Sequence, residues 1–122
     1  MFKKDEIKII SIFGVTGSVG VSTQELIQMN IKKFKVDTIV ANNDVKGLIK
    51  AAKYLKPNLV IINNDKMFMP LKKSLEGYKI EIASGNDAII EASKRKVDVF
   101  VAAISGFAGL NSTFNAIRNA KC

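Results

Sequence analysis

The chain has 122 residues, 48% of them hydrophobic, which is enough apolar material for the core of one domain of ordinary size. Its net charge is +8, but the lysines are scattered and not interleaved with aromatics, and tryptophan is absent, so they read as solvated helix faces and not as a nucleic-acid surface. The absence of histidine excludes Ser-His-Asp and Cys-His catalysis within the chain, and the single cysteine, Cys122, excludes an internal disulfide framework and points to a reducing, cytoplasmic setting.

In chain order, the charged start leads into a short apolar run at residues 7–13, a strand and not a signal peptide. A glycine turn and a helix over residues 18–29 follow, then a strand at 35–41 and a helix at 45–56 that Pro57 and Asn58 stop. That helix carries Lys46, Lys50 and Lys53 on one face and Val45, Leu48, Ile49, Ala52 and Leu55 on the other. Residues 59–62 form a wholly apolar third strand, and Asn63, Asn64 and Asp65 turn the chain. Residues 66–76 are expected to be helical, with Pro70 starting or kinking the main turn and Gly77 closing it. A fourth strand is expected at 78–83. Ser84, Gly85, Asn86 and Asp87 then cap a helix to about Lys94, and a fifth strand is expected at 97–103. A loop of small residues at 105–109 precedes a last helix, with Leu110, Thr113, Phe114 and Ile117 as one buried stripe.

No run approaches the roughly 18–20 apolar residues that span a bilayer, so no membrane partner is expected. Apolar strands alternating with helices imply parallel pairing and right-handed crossovers. The predicted fold class is α/β, a Rossmann-type doubly wound, mainly parallel sheet with helices on both faces. The last helix has no strand after it, so the chain reads as interrupted.

The most informative residues are Gly14-Val15-Thr16-Gly17-Ser18-Val19-Gly20, placed between a strand and a helix as a dinucleotide site requires. Gly14 would make the turn, Gly17 would allow a pyrophosphate to approach the backbone, and Gly20 would let the helix pack on the sheet. Thr16 and Ser18 would add hydroxyl donors. The helix dipole and free N–H groups would face the anion. The bland alternative is a tight βα turn whose glycines serve packing alone.

The end of the second strand should meet the adenosine ribose, where an NAD enzyme usually has an acid. Here the residues are Asn42, Asn43 and Asp44. The amides could donate to a 2′-phosphate. Asp44 could repel that phosphate, hold a 2′-hydroxyl, or cap the next helix.

The segment Ile12-Phe13-Gly14-Val15-Thr16-Gly17-Ser18-Val19-Gly20-Val21-Ser22-Thr23 resembles the amino-terminal motif of 1-deoxy-D-xylulose-5-phosphate reductoisomerase, commonly L-G-S-T-G-S-I-G-x-S-T. Ala102-Ala103-Ile104-Ser105-Gly106-Phe107-Ala108-Gly109-Leu110 is similar to the family's A-A-I-x-G-x-A-G-L segment, continued by Ser112-Thr113 and Ala116-Ile117, and Ser84-Gly85 also fits. The resemblance implies a two-step reaction. A rearrangement dependent on Mg²⁺ or Mn²⁺ gives an aldehyde, which NADPH reduces to 2-C-methyl-D-erythritol 4-phosphate in the non-mevalonate route to isoprenoids.

By this resemblance Thr16, Gly17, Ser18 and Val19 contact the cofactor phosphates, and Asn42, Asn43 and Asp44 occupy the 2′-phosphate loop, often G-K-N, with all three positions changed. The expectation is one NADP(H)-binding domain over residues 1–122, from a full-length protein that is a homodimer. The family's A-N-K-E and D-x-E-H motifs are not in the sequence, so no catalytic residue and no metal ligand is assigned. A different NAD(P)-dependent reductase, or a non-enzymatic nucleotide-sensing or interaction domain, remains the alternative.

Overall fold

The computed structural model describes residues 7–103. They form a five-stranded, wholly parallel sheet in the order β4-β3-β2-β1-β5, with β1 at Lys8–Phe13, β2 at Phe34–Ala41, β3 at Leu59–Ile62, β4 at Glu81–Ser84 and β5 at Val99–Ala102. The helices are α1 (Ser18–Met29), α2 (Val45–Leu55), α3 (Phe68–Ser74) and α4 (Asn86–Ala92). Among the described residues no helix is long and apolar enough to cross a membrane.

Both faces of the sheet are covered, as the alternating pattern requires. One face packs Ile10, Ile12, Val36, Ile39, Val60 and Ile62 against Ile27 of α1, Leu48, Ala52 and Leu55 of α2, and Leu71 of α3. The other joins Phe13, Val40, Ile61 and Phe100 to Ile89 and Ala92 of α4, with the Phe13 and Phe100 rings 4.7 Å apart. β3, an interior strand between β4 and β2, is buried at all four positions, which explains why it reads as an unbroken apolar run. Lys46, Lys50 and Lys53 lie on the exposed side of α2.

Chain order reverses at β1, which has β2 on one side and β5 on the other. A ligand crevice in this fold lies beyond the carboxyl ends of the strands at such a reversal. The glycine loop begins there.

Four expectations need correction. The fourth strand starts at Glu81 and not at Tyr78. The Tyr78 N–H binds the Leu75 carbonyl, Gly77 turns the chain at φ +89°, and the first ladder partner is Leu59 with Glu81, so β3 offers residues 78–80 nothing to pair with. The fifth strand is shortened to Val99–Ala102, although the Asp98 N–H still reaches the Ile9 carbonyl. The helix expected at 66–76 divides into a 3-10 turn at Asp65–Met67, capped by Asn64, and α3, with Pro70 in the first helical turn where its missing N–H is not needed. Finally, α4 ends at Ala92, and its N-cap position is Gly85, φ +94°, without a side-chain cap, because the Ser84 hydroxyl donates to Asp65 instead. The expected loop at 105–109 and the helix bearing Leu110, Thr113, Phe114 and Ile117 lie outside the described residues.

Candidate functional site

The loop from Gly14 to Gly20 leaves the end of β1 and is tied at once to the next strand. The N–H groups of Gly14 and Val15 both donate to the Val40 carbonyl, at 2.9 and 3.0 Å. The Gly17 N–H then donates to the Gly14 carbonyl at 3.1 Å, and the Val21 N–H to Gly17 at 2.8 Å as α1 begins. From α1, Gln24 reaches back with Nε2 to the Val15 carbonyl at 2.9 Å, and the Thr23 hydroxyl donates to Val19 at 2.8 Å.

The three glycines have three different physical reasons. Gly14 has φ +100°, a conformation that other residues adopt only under strain. Gly20 is a matter of space, since a Cβ there would lie 2.2 Å from the Gly14 oxygen and 2.5 Å from the Val15 carbonyl group. Helix and strand end therefore touch through backbone alone. Gly17 is unlike either. It is exposed, its φ of −79° and ψ of 176° suit any residue, and a Cβ would meet only the Gly14 oxygen at an ordinary 3.5 Å. Packing does not demand glycine at this position. What glycine leaves is open room in front of the α1 N-terminus.

That N-terminus has no side-chain cap and no acid in its first turn. The N–H groups of Ser18, Val19 and Gly20 and the positive end of the helix dipole are thus presented without a neutralising side chain. A phosphate group fits this chemistry and the space at Gly17. Ser18 and Val19 are exposed here, and Thr16 is half-buried beside them.

Asn42, Asn43 and Asp44 lie exposed at the carboxyl end of β2, next to the Gly14–Gly20 loop. The turn after β3 supports them. The N–H groups of Asn63 and Asn64 donate to the carbonyls of Ala41 and Asn42, and Asn63 Nδ2 donates to Asn42 Oδ1 at 2.9 Å. With its oxygen engaged, the Asn42 amide keeps its two N–H donors for another partner. Asp44 caps α2, its Oδ1 accepting from the Gly47 N–H at 2.9 Å. The two loops meet over Gly47, where a Cβ would lie 2.5 Å from Asp44 Oδ2 and 2.9 Å from the Thr16 methyl carbon. Gly47, Asn63 and Gln24 are residues that sequence reasoning missed. Only Gly47 carried a signal, as an isolated glycine in the first turn of a strong amphipathic helix.

A second polar group lies toward the amino-terminal end of the sheet. Between Ile10↔Val36 and Ile12↔Ile39 the register of β1 and β2 shifts, so β2 carries one residue more where Asp37 and Thr38 lie. Asp37 is buried and accepts two hydrogen bonds from Arg95, one from Asn58 Nδ2 and one from the Thr38 hydroxyl. Burial acts to raise its pKa, but these bonds and the Arg95 charge outweigh burial, and the carboxyl is held below its ordinary value. Among the described residues no three His, Cys, Asp or Glu side chains gather as a metal site.

Comparison with known proteins is consistent with this geometry. The family model described as 1-deoxy-D-xylulose 5-phosphate reductoisomerase matches residues 10–122. The chain is 39% identical over 114 residues to the reductoisomerase of Zymomonas mobilis, spanning 93% of this chain and 29% of that protein. It is 36% identical over 112 residues to that of Anaplasma phagocytophilum, spanning 92% and 29%. The solved Zymomonas mobilis reductoisomerase in complex with NADPH superposes with a TM-score of 0.79 at 35% identity, over 81% of this chain and 26% of that one. A reductoisomerase structure with magnesium superposes at 0.77 and 32% identity, over 90% and 28%. The chain thus spans less than a third of the length of these relatives.

Proposed function

This chain belongs to the 1-deoxy-D-xylulose 5-phosphate reductoisomerase family, and on that premise we propose that it is the NADPH-binding part of such an enzyme. The single observation that carries the reading is the clear space at Gly17 in front of an uncapped, acid-free helix start. The N–H groups of Ser18 and Val19 hold the pyrophosphate, with the Thr16 and Ser18 hydroxyls beside them. Gly14 and Gly20 shape the loop that presents them, and the amides of Asn42 and Asn43 donate to the 2′-phosphate. NADPH, when bound, supplies the hydride that reduces the aldehyde formed from 1-deoxy-D-xylulose 5-phosphate.

The divalent ion, Mg²⁺ or Mn²⁺, and the sugar phosphate are held by parts of the full-length enzyme that this chain does not span, and the chain alone is inactive. A reducing, cytoplasmic setting and a homodimeric full-length protein without a nucleic-acid partner belong to the same reading. The scattered lysines support the lack of a nucleic-acid partner, and the lone cysteine supports the reducing setting.

NADPH binds better than NADH, because no acid faces the cofactor directly at the end of β2 and Asp44 is engaged as a helix cap. Titration of NADPH by calorimetry or fluorescence tests the assignment. Gly17→Val puts a side chain where the pyrophosphate passes and weakens binding by at least about tenfold. Unchanged affinity in a folded variant overturns the reading.

A further inference from the structure

We propose that Gly47 is a positioning residue for cofactor choice. By carrying no Cβ it lets the Asp44 carboxylate fold back onto the start of α2 beside Thr16, which keeps that negative charge away from the cofactor's 2′-phosphate. The inference rests on the NADPH-binding reading above and adds the device that makes an acid tolerable in the 2′-phosphate loop.

Asp44 is the sole acid among residues 14–20 and 42–44. Within about 5 Å, its charge would raise the energy of a bound phosphate dianion much more than that of a 2′-hydroxyl, which can even donate to it. The fold removes the difficulty by giving the carboxylate another partner. Oδ1 accepts from the Gly47 N–H at 2.9 Å, and the positive end of the α2 dipole lies beneath it. This arrangement needs the space at Gly47. A Cβ there would lie 2.5 Å from Oδ2 and 2.9 Å from Cγ of Asp44, and 2.9 Å from the Thr16 methyl carbon.

Of the two neighbours, Thr16 is half-buried in a loop whose Gly14 and Val15 N–H groups are tied to Val40, whereas Asp44 is exposed. The Asp44 side chain is therefore the part that yields, and it yields outward, toward the ligand. Glycine is a poor residue for a helix, and its use in the first turn of α2 costs that helix stability. The room it leaves for Asp44 and Thr16 is the compensating gain.

The test uses the 122-residue chain with NADPH and NADH as separate probes, measured by calorimetry alongside thermal unfolding. Gly47→Ala lowers the NADPH-to-NADH affinity ratio by about tenfold, and adding Asp44→Asn, which still caps but carries no charge, restores it. An equal change for both cofactors, or a shift that persists in the double variant, overturns the proposal. Asp44→Asn alone covers the case in which Gly47→Ala does not fold. It changes the ratio by less than about threefold, because the charge already points away, and a rise of about tenfold overturns the proposal. An unmodified chain that binds neither cofactor overturns the underlying NADPH reading. An unmodified chain that binds, with no shift in the ratio for Gly47→Ala, overturns this inference alone.

Discussion

Arg95 grips the Asp37 carboxylate with two hydrogen bonds, Nε to Oδ2 at 2.8 Å and Nη2 to Oδ1 at 3.0 Å, across 58 positions of sequence. Asp37 is 6% exposed, so its charge depends on these partners, whereas the Arg95 side chain is 41% exposed and can turn to water. Because the folded-state pKa of Asp37 is depressed, its contribution to stability is present above the unfolded value of 3.8 and is lost as pH falls through the folded one. Arg95→Ala leaves a buried carboxylate with only Asn58 and Thr38. The variant should lose about 2 kcal/mol at neutral pH and clearly less at a pH acidic enough to protonate Asp37 in both proteins. Denaturant unfolding at the two pH values checks this. An equal loss at both would show that the charge contributes nothing and that packing of the arginine stem accounts for the effect.

Two glycines in the same loop should respond oppositely to alanine. Gly20→Ala drives a Cβ into backbone atoms of Gly14 and Val15 and should lower stability by about 2–3 kcal/mol. Gly17→Ala meets only an ordinary 3.5 Å contact and should stay within about 0.5 kcal/mol of the unmodified chain while weakening NADPH. Thermal melts and NADPH titrations on both variants separate architecture from recognition. A stable Gly20→Ala protein would contradict the close helix-strand contact.

Asn63 Nδ2 donates to Asn42 Oδ1 at 2.9 Å and so orients the Asn42 amide. Asn63→Ala removes one neutral hydrogen bond, worth about 1 kcal/mol, and frees Asn42 to turn. NADPH affinity should fall by about fivefold and NADH affinity by less, since only the 2′-phosphate uses the amide donors. Calorimetry with the two cofactors decides this. Equal affinities in variant and unmodified chain would remove Asn42 from recognition.

The 122-residue chain should not oxidise NADPH in the presence of 1-deoxy-D-xylulose 5-phosphate, with or without Mg²⁺ or Mn²⁺. The rearrangement needs a hard cation held by clustered oxygen ligands, and the described residues bring no such cluster together. A longer protein joining this domain to the remainder found in its relatives should turn over, and a chelator should stop it. NADPH absorbance, with and without substrate, is the readout. Metal-dependent turnover by the short chain would place a catalytic site within it.

What the sequence determined by itself is local or periodic. The glycine spacing between a strand and a helix marked the tight loop after β1, because a positive φ at Gly14 and a backbone contact at Gly20 arise within a few residues of each other. Asp44 was legible as a cap since its acceptor meets a donor three residues on. The unbroken apolar run at β3 announced a strand covered on both faces. Tertiary structure decided whatever depends on a partner distant in sequence. The start of β4 follows the length of β3, a limit that the residues 78–80 do not encode. β5 lies beside β1 and not β4, so the strand order reverses at β1, where the glycine loop begins. Asn42 meets Asn63 across 21 positions and Asp37 meets Arg95 across 58. Gly47 fits between Asp44 and Thr16 only because two neighbouring parallel strands end at the same height. Side-chain chemistry defines which of these contacts can form, but the sheet order and register determine which groups come within reach of one another.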